Sequence, residues 1–221
     1  MLVVVTSSAD PELALIKSHA GAAIVVPAHL SQPGWSYEVG SGARAQLVTS
    51  KGIIAADDVS GVLTRTQRAW PAELPHINEE DREYVASEMT AFLAALLNEL
   101  PCPVFNRPAA NSLWGPPWTA EHWWRVAVVE GIAVCRDDDH LCDDPAEIVV
   151  LEGKVIRGGS TLPDGAKAWA LRLAERAGVL LLGARFCLIH GALREVSLRP
   201  GLDEELLRMM ELRCAAVQAI P

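Results

Sequence analysis

The sequence predicts an α/β protein in which an N-terminal parallel-sheet domain is joined to a smaller α+β portion. Two short β-branched runs, residues 2–5 and 22–26, are separated by a helical stretch at 11–19, which is the pattern of a β-α-β unit. Residues 147–159 instead read as an antiparallel hairpin around Glu152 and Gly153. We therefore predict two domains, residues 1–117 and 118–221.

The other elements of the N-terminal domain follow from local patterns. Residues 35–40 and 43–54 alternate around Gly and Ser, as a small antiparallel meander does. Residues 79–99 repeat apolar side chains at helical spacing behind an acidic first turn, with Asn78 as the expected N-cap. Apolar runs predict two further buried strands, at 61–65 and 102–105.

Helices and antiparallel strands are predicted for the C-terminal portion. Thr119 is the expected N-cap of a helix that ends at Gly131, and a strand follows at 132–135. After the acidic loop that begins at Cys135, we expect the hairpin, a helix, two strands and a closing amphipathic helix, at 147–159, 164–177, 179–189, 192–198 and 203–219.

Composition restricts the class of protein. Half of the 221 residues are apolar and 21% are charged, which excludes a disordered or fibrous chain. The net charge is -9 and the basic residues are dispersed, so we expect no nucleic-acid partner. The N-terminus lacks a basic n-region, and no apolar run reaches roughly 18 residues. We therefore expect a cytoplasmic protein with no membrane association.

Polar side chains follow three of the predicted parallel strands. Because ligands bind at the carboxyl ends of such strands, these hydroxyl, amide and guanidinium groups predict a site for a carboxylate or phosphate. The predicted binding residues are Thr6, Ser7, Arg65, Arg68, Asn106 and Arg107. The alternative is that the arginines pair with acidic residues such as Glu73, Glu79 or Asp81, and the sequence leaves both interpretations open.

The five cysteines are expected to be reduced thiols in a chain without an export signal. Cys135, His140 and Cys142, in the stretch CRDDDHLC, are candidate zinc ligands. Zinc sites usually use cysteine pairs about two to four residues apart and a second pair elsewhere, which we do not find in this sequence. We therefore favour a solvated acidic loop and predict no metal.

The stretch ALREVSLRPGL, residues 192–202, reads as a strand that places Glu195 and Ser197 on one face. Several nucleotide enzymes hold magnesium with a strand of this kind, but magnesium needs two or more converging anionic oxygens. Here Arg185, Arg194 and Arg199 lie close to Glu195 in sequence or in the predicted hairpin. The alternative is that Glu195 forms a cross-strand pair with Arg185 or Arg194.

Two blocks of the sequence resemble a known family. LTRTQRAWPAELPHINEEDREYVASEMTAFLAALLNELPCPVFNRPAAN is similar to the N-terminal region of bacterial ATP-grasp proteins, of the peptide-maturing and glutathione-synthetase-like kind. ALRLAERAGVLLLGARFCLIHGALREVSLRPGL is similar to the family's final segment, in which a strand with an aspartate precedes a strand of the form E-V-N-x-x-P-G. The resemblance implies a pre-ATP-grasp-like domain over 1–117 and a shortened ATP-grasp-like portion over 118–221.

The departures from the family pattern imply a degenerate nucleotide and metal site. Arg185 stands where the family has the strand aspartate, and Ser197 where it has asparagine, so Glu195 alone remains of the usual magnesium ligands. The interval 135–165 is too short for the family's lid subdomain and contains Lys154 as its one lysine. We assign Arg185, Glu195, Ser197 and Arg199 to this degenerate site, and assign no catalytic residue.

Three functions remain open. The first is a non-catalytic ATP-grasp-like subunit in a peptide or small-molecule biosynthetic pathway, which would bind a peptide, a small anionic ligand, a protein partner or a second copy. The Trp-rich stretch 114–124 and the closing helix are its candidate interaction surfaces. The second is a minimal ATP-dependent carboxylate-amine ligase, and ATP and magnesium are cofactors under this alternative alone. The third is a structural α/β dimer without a ligand.

Overall fold

A computed structural model describes residues 1–40, 44–135, 145–158 and 162–218. The chain divides into two units. The first unit contains Met1–Gly115 and Leu202–Pro221, and the second contains Pro116–Gly201. The closing helix therefore groups with the N-terminal unit, whereas the predicted boundary after residue 117 placed it with the C-terminal portion.

A parallel sheet with the strand order β2-β1-β5-β6 forms the centre of the first unit. Its strands are β1 (Leu2–Val5), β2 (Ala22–Val25), β5 (Gly61–Thr64) and β6 (Val104–Phe105). Every residue of these strands is buried, which explains why they appear in the sequence as continuous apolar runs rather than alternating ones.

Short elements connect the parallel strands. They are the helices α1 (Leu13–Ser18) and α2 (Pro27–Leu30), the hairpin of β3 (Gln46–Thr49) and β4 (Gly52–Ala55), and 3₁₀ turns at Ala56–Asp58 and Pro71–Glu73. The predicted strand at 35–40 is wrong, because that stretch contributes a single bridge between Ser36 and Gln46.

Helix α3 (Arg82–Glu99) packs its apolar stripe into the core of the first unit. Ala86, Leu93, Leu96 and Leu97 are its buried residues. Asn78 is the N-cap of a 3₁₀ turn at Glu79–Asp81, and α3 follows directly with Asp81 as its own N-cap. The acidic residues of that turn still lie at the positive end of the helix dipole.

The closing helix α6 (Glu204–Gln218) belongs to the same unit and contacts β1 and β5. Its buried residues are Leu206, Leu207, Met210 and Cys214. A side chain at Gly61 would collide with the Cys214 sulfur, so the absence of a Cβ at this position lets α6 approach the sheet closely. His19 Nε2 also lies 3.1 Å from Glu211 Oε2.

The second unit is an antiparallel sheet with the order β10-β9-β7-β8. Its elements are α4 (Ala120–Val129), β7 (Ala146–Leu151), β8 (Lys154–Arg157), α5 (Ala166–Ala177), β9 (Leu181–Cys187) and β10 (Ala192–Ser197). The prediction of a Thr119 N-cap is confirmed, because its side chain accepts a hydrogen bond from His122 N. The hairpin turn at Glu152 and Gly153 is confirmed by positive φ at both residues.

One predicted strand of this unit is reduced to a single contact. Residues 132–135 form a parallel bridge, between Val134 and Leu193, rather than a full strand. Among the described residues, no helix has both the length and the apolar character needed to cross a membrane.

Candidate functional site

The carboxyl end of the parallel sheet is occupied by a buried ion pair. Arg65 follows β5, and its side chain is 1% exposed. Its Nε donates to Asp10 Oδ2 at 2.9 Å, and its Nη2 contacts Glu12. Thr6, at the end of β1, donates its hydroxyl to the same Asp10 oxygen at 2.6 Å. The structure thus brings the predicted residues Thr6 and Arg65 together, but around carboxylates of the chain itself.

Asp10 stays ionised because of these neighbours. Burial alone would raise the pKa of its carboxyl, but hydrogen bonds from Arg65 and Thr6, the charge of Arg65 and the Glu12 backbone N–H together hold the pKa below its ordinary value. Asp10 and Glu12 pair with Arg65 in place of the acidic residues expected from the sequence, Glu73, Glu79 and Asp81. The Arg65 guanidinium is therefore committed to a structural role.

Ser7 is also hydrogen-bonded to an acidic residue of the chain. Its hydroxyl donates to Glu73 Oε1 at 3.1 Å, and the Ser8 backbone N–H donates to the same oxygen at 2.5 Å. The other oxygen, Glu73 Oε2, is buried and has no hydrogen-bond partner in the described part of the chain. The hydroxyls predicted to bind an anionic ligand thus hold a carboxylate from the same unit.

The Arg107 side chain donates hydrogen bonds at the C-terminal end of α3. Its Nη1 donates to Leu97 O at 2.9 Å and Asn98 O at 3.1 Å, and its Nη2 donates to Leu100 O and Cys102 O, both at 3.1 Å. A guanidinium at this place satisfies carbonyls that lack partners within the helix. The neighbouring Asn106 is buried, and its Nδ2 donates to Trp114 O at 3.4 Å.

Arg68, another of the predicted binding residues, lines a cleft. The cleft has a volume of about 550 Å³ and lies between one face of α3 and residues 108–112. Small side chains form much of the α3 wall, including Ser87, Ala91, Ala94 and Ala95. The Arg68 side chain is 31% exposed and contacts Glu83 Oε1 at 2.5 Å, and Ser112 Oγ is buried without a hydrogen-bond partner among the described residues.

A row of alternating charges crosses the sheet of the second unit. Arg185 on β9 lies between Glu195 on β10 and Glu147 on β7, its partners in the strand register. Its Nη1 is 3.3 Å from Glu195 Oε2, and its Nε is 3.8 Å from Glu147 Oε1. Arg157 on β8 donates to the other Glu147 oxygen at 3.0 Å. We call Glu195, Arg185, Glu147 and Arg157 the charge row.

The charge row settles which alternative describes Glu195 in this structure. The predicted cross-strand pair with Arg185 is present, and Glu147 was missed because its position beside Arg185 depends on the strand order. Each carboxylate of the row has a guanidinium as its neighbour, so a divalent cation placed there would meet positive charge. Ser197 accepts a hydrogen bond from the Arg199 backbone N–H at 3.1 Å, as a local turn does.

The tryptophans of the second unit pack mainly against each other and the sheet. Trp123 is 3% exposed, and the ring of Trp118 lies 4.7 Å from it and 4.4 Å from the ring of His122. Trp124 Nε1 donates to Arg194 O at 3.3 Å. This arrangement favours the sealing of a helix against a sheet over the stacking of a ligand.

Comparison with solved structures identifies the architecture. The ATP-grasp ligase PsnB, complexed with a minimal precursor, Mg and ADP, superimposes with a TM-score of 0.63 at 16% identity, over 99% of this chain and 97% of that one. The fold is that of ATP-grasp ligases. The macrocyclase MdnC from Microcystis aeruginosa MRC, bound with precursor peptide MdnA, gives a TM-score of 0.59 at 10% identity, over 91% of this chain and 92% of that one.

A third structure extends this likeness. It is the RiPP-associated ATP-grasp ligase of Chryseobacterium gregarium in complex with ADP and a leader and core peptide, with a TM-score of 0.53 at 11% identity, over 100% of this chain and 97% of that one. No family model and no curated protein matches the sequence. The predicted shortening over 135–165 stays a prediction, since residues 136–144 and 159–161, with His140 and Cys142, lie outside the described residues.

Proposed function

We propose that the chain is a non-catalytic, ATP-grasp-like subunit that binds a peptide in a biosynthetic pathway. The charge row carries this proposal. Glu147 and Glu195 are its two carboxylates, and the Arg185 guanidinium lies between them. A magnesium ion that bridges nucleotide phosphates needs anionic oxygens on its protein side. Arg185 supplies a positive charge at that place, which opposes the metal rather than the phosphate.

The proposed ligand is a peptide with acidic side chains. PsnB, MdnC and the Chryseobacterium gregarium ligase are each seen with a precursor, leader or core peptide, and the cleft beside α3 offers room for such a chain here. The small side chains of α3 allow close approach of a backbone, and Ser112 Oγ is buried without a partner among the described residues. Arg68 at the wall of the cleft suits a carboxylate.

Nucleotide titration tests the non-catalytic part of the proposal. We expect that ATP with magnesium, up to millimolar concentration, does not raise the unfolding temperature of the wild-type protein, because ligands stabilise the folded state only when they bind it. We expect Arg185→Asp, which groups three carboxylates, to gain stabilisation by manganese or magnesium in the same thermal-shift assay. Arg172→Asp makes the same change of charge on α5 and should not.

A clear shift of the wild-type unfolding temperature with ATP and magnesium would contradict the proposal and favour the minimal ligase. Failure of Arg185→Asp to bind a divalent cation would show that the guanidinium is not what opposes the metal.

Fluorescence anisotropy tests the peptide-binding part. The probes are two pools of fluorescein-labelled synthetic peptides, one containing Asp and Glu and the other with Asn and Gln at the same positions. We expect the acidic pool to bind more tightly, and Arg68→Ala to weaken that binding about tenfold, since a charge-assisted hydrogen bond is worth about 1.5–3 kcal/mol. Arg44→Ala, at an exposed arginine of the same unit, is the matched control.

Equal binding of both pools, or none at all, would contradict a site for acidic peptides and favour the structural α/β dimer. Sedimentation of the free protein then distinguishes a dimer from a monomer.

A further inference from the structure

The turn between β9 and β10 holds two candidate metal ligands, Cys187 and His190. Cys187 is the last residue of β9 and pairs with Ala192, the first residue of β10. His190 lies in the turn between them, and Gly191 completes the turn with a φ of 60°. Two residues separate Cys187 from His190, and Cys187 Sγ lies 3.3 Å from His190 Nδ1. A Cys-x-x-His turn of this kind has the spacing of a zinc-binding pair.

Backbone hydrogen bonds bring Cys135 to the same turn. Its N–H donates to Leu193 O at 2.7 Å, and the Leu193 N–H donates to Ala133 O at 2.8 Å. Cys135 Sγ then lies 3.9 Å from His190 Nδ1, and the ligand atoms of the three side chains are all within 4.8 Å of one another. Cys135 and Cys187 are 7% and 1% exposed, so two buried sulfurs lie beneath an exposed imidazole.

These distances fit a tetrahedral metal ion. Zinc bonds of about 2.3 Å to sulfur and about 2.0–2.1 Å to nitrogen, at a tetrahedral angle, separate sulfur from nitrogen by about 3.6 Å. The two observed separations, 3.3 and 3.9 Å, lie on either side of this value. Two thiolates and an imidazole form a soft ligand set, which selects zinc over magnesium or calcium. We propose that Cys135, Cys187 and His190 bind one zinc ion in the reduced chain.

Reduction is part of the proposal because Cys187 forms a disulfide bond in this structure. The expectation of five reduced thiols is therefore wrong for Cys187, whereas Cys102, Cys135 and Cys214 form no disulfide. A disulfide sulfur carries no negative charge, so the disulfide and the metal exclude each other at this atom. A phosphine reductant supplies the two electrons and becomes its oxide, and water supplies the oxygen and two protons that leave both sulfurs as thiols.

Zinc binding then displaces one proton from each thiol. The ion would join the segment that ends at Cys135 to the β9–β10 hairpin, which a single backbone bridge connects among the described residues. The site uses none of the residues of the charge row or of the Arg68 cleft. The inference therefore goes beyond the proposed function and can fail or succeed without it.

Metal analysis of the full chain tests the site. The protein is reduced with a phosphine, incubated with zinc, passed over a chelating resin and analysed by mass spectrometry for bound metal. We expect one zinc ion per chain in the wild type, and loss of the ion in Cys135→Ser, Cys187→Ser and His190→Ala. Cys102→Ser, at another buried thiol, and His76→Ala, at another exposed histidine, should keep it.

A second measurement needs no variant and so does not depend on whether a variant folds. N-ethylmaleimide is added to the reduced wild-type protein with zinc and again after a chelator, and modified cysteines are mapped by mass spectrometry. We expect zinc to protect Cys135 and Cys187 and the chelator to abolish the protection. Reduced wild-type protein without bound zinc, or zinc retained in all three ligand variants, would overturn the proposal. So would equal zinc binding by the oxidised protein.

Discussion

Two arginines that follow the same strand, β5, have different surroundings in the first unit. Arg65 is buried and pairs with Asp10 and Glu12, whereas Arg68 is partly exposed and lines a cleft. The difference lies in the desolvation of the guanidinium, since a buried charge is tolerated only when it is paired and hydrogen-bonded. Of the two, Arg68 is the one that we propose as a ligand contact.

Removal of the buried guanidinium should destabilise the first unit strongly. We expect Arg65→Met to lower the free energy of unfolding by about 3–5 kcal/mol at neutral pH, because Asp10 would remain as a buried charge without its main partner. Urea unfolding measures the loss. Arg68→Met, which breaks a more exposed pair, is the matched control and should cost less than about 1 kcal/mol.

The dependence of this loss on pH follows from the lowered pKa of Asp10. A group whose folded pKa is depressed stabilises the protein above its ordinary pKa, about 3.9, and loses that contribution as the pH falls through the folded value. The difference between wild type and Arg65→Met should therefore be full at neutral pH and shrink below about pH 4. A difference that does not change in acid would contradict the role assigned to Asp10.

At the scale of single elements, the end of α3 shows how a predicted binding residue becomes a structural one. Helix α3 stops before Pro101, whose ring excludes the next helical hydrogen bond. The carbonyls of its last turn and of the segment that follows are satisfied by Arg107, which donates four hydrogen bonds to them. The arginine thus positions the chain between α3 and β6.

Loss of these bonds should loosen the helix end locally. We expect Arg107→Ala to cost about 1–3 kcal/mol of stability, in the range of a few hydrogen bonds from a charged donor. Amide hydrogen exchange should become faster in the last turn of α3 while the first turn is unchanged. Arg125→Ala, on the exposed face of α4, is the control and should alter neither. Unchanged exchange at the end of α3 would show that water replaces the guanidinium at little cost.

One pair of the charge row, Arg185 and Glu195, could be predicted from the sequence, and the other two residues could not. Arg185 and Glu195 lie on adjacent strands of one hairpin, so the turn between them determines their register and the pair could be expected. Glu147 and Arg157 belong to an earlier hairpin. Their place beside Arg185 depends on β9 pairing with β7, a long-range choice that local patterns do not reveal.

At the scale of the whole molecule, the sequence predicted the elements better than their partners. Buried strands such as Leu2–Val5 were recognisable because all their side chains are apolar. Asp10 was not recognised as a partner of Arg65 because it lies in the loop before α1, 55 positions away in sequence. The cluster of Cys135, Cys187 and His190 could not be predicted for a related reason. Cys135 comes close to the other two residues through a single long-range strand bridge, which local sequence patterns do not reveal.

The placement of α6 affects how the molecule is made. The first unit contains Met1–Gly115 and also the later helix α6, and the second unit lies between these two parts in the sequence. During translation, the ribosome releases residues 116–201 before α6 can cover β1 and β5. The second unit can therefore fold before α6 has been made, whereas β1 and β5 stay uncovered by α6 until residues 202–218 follow.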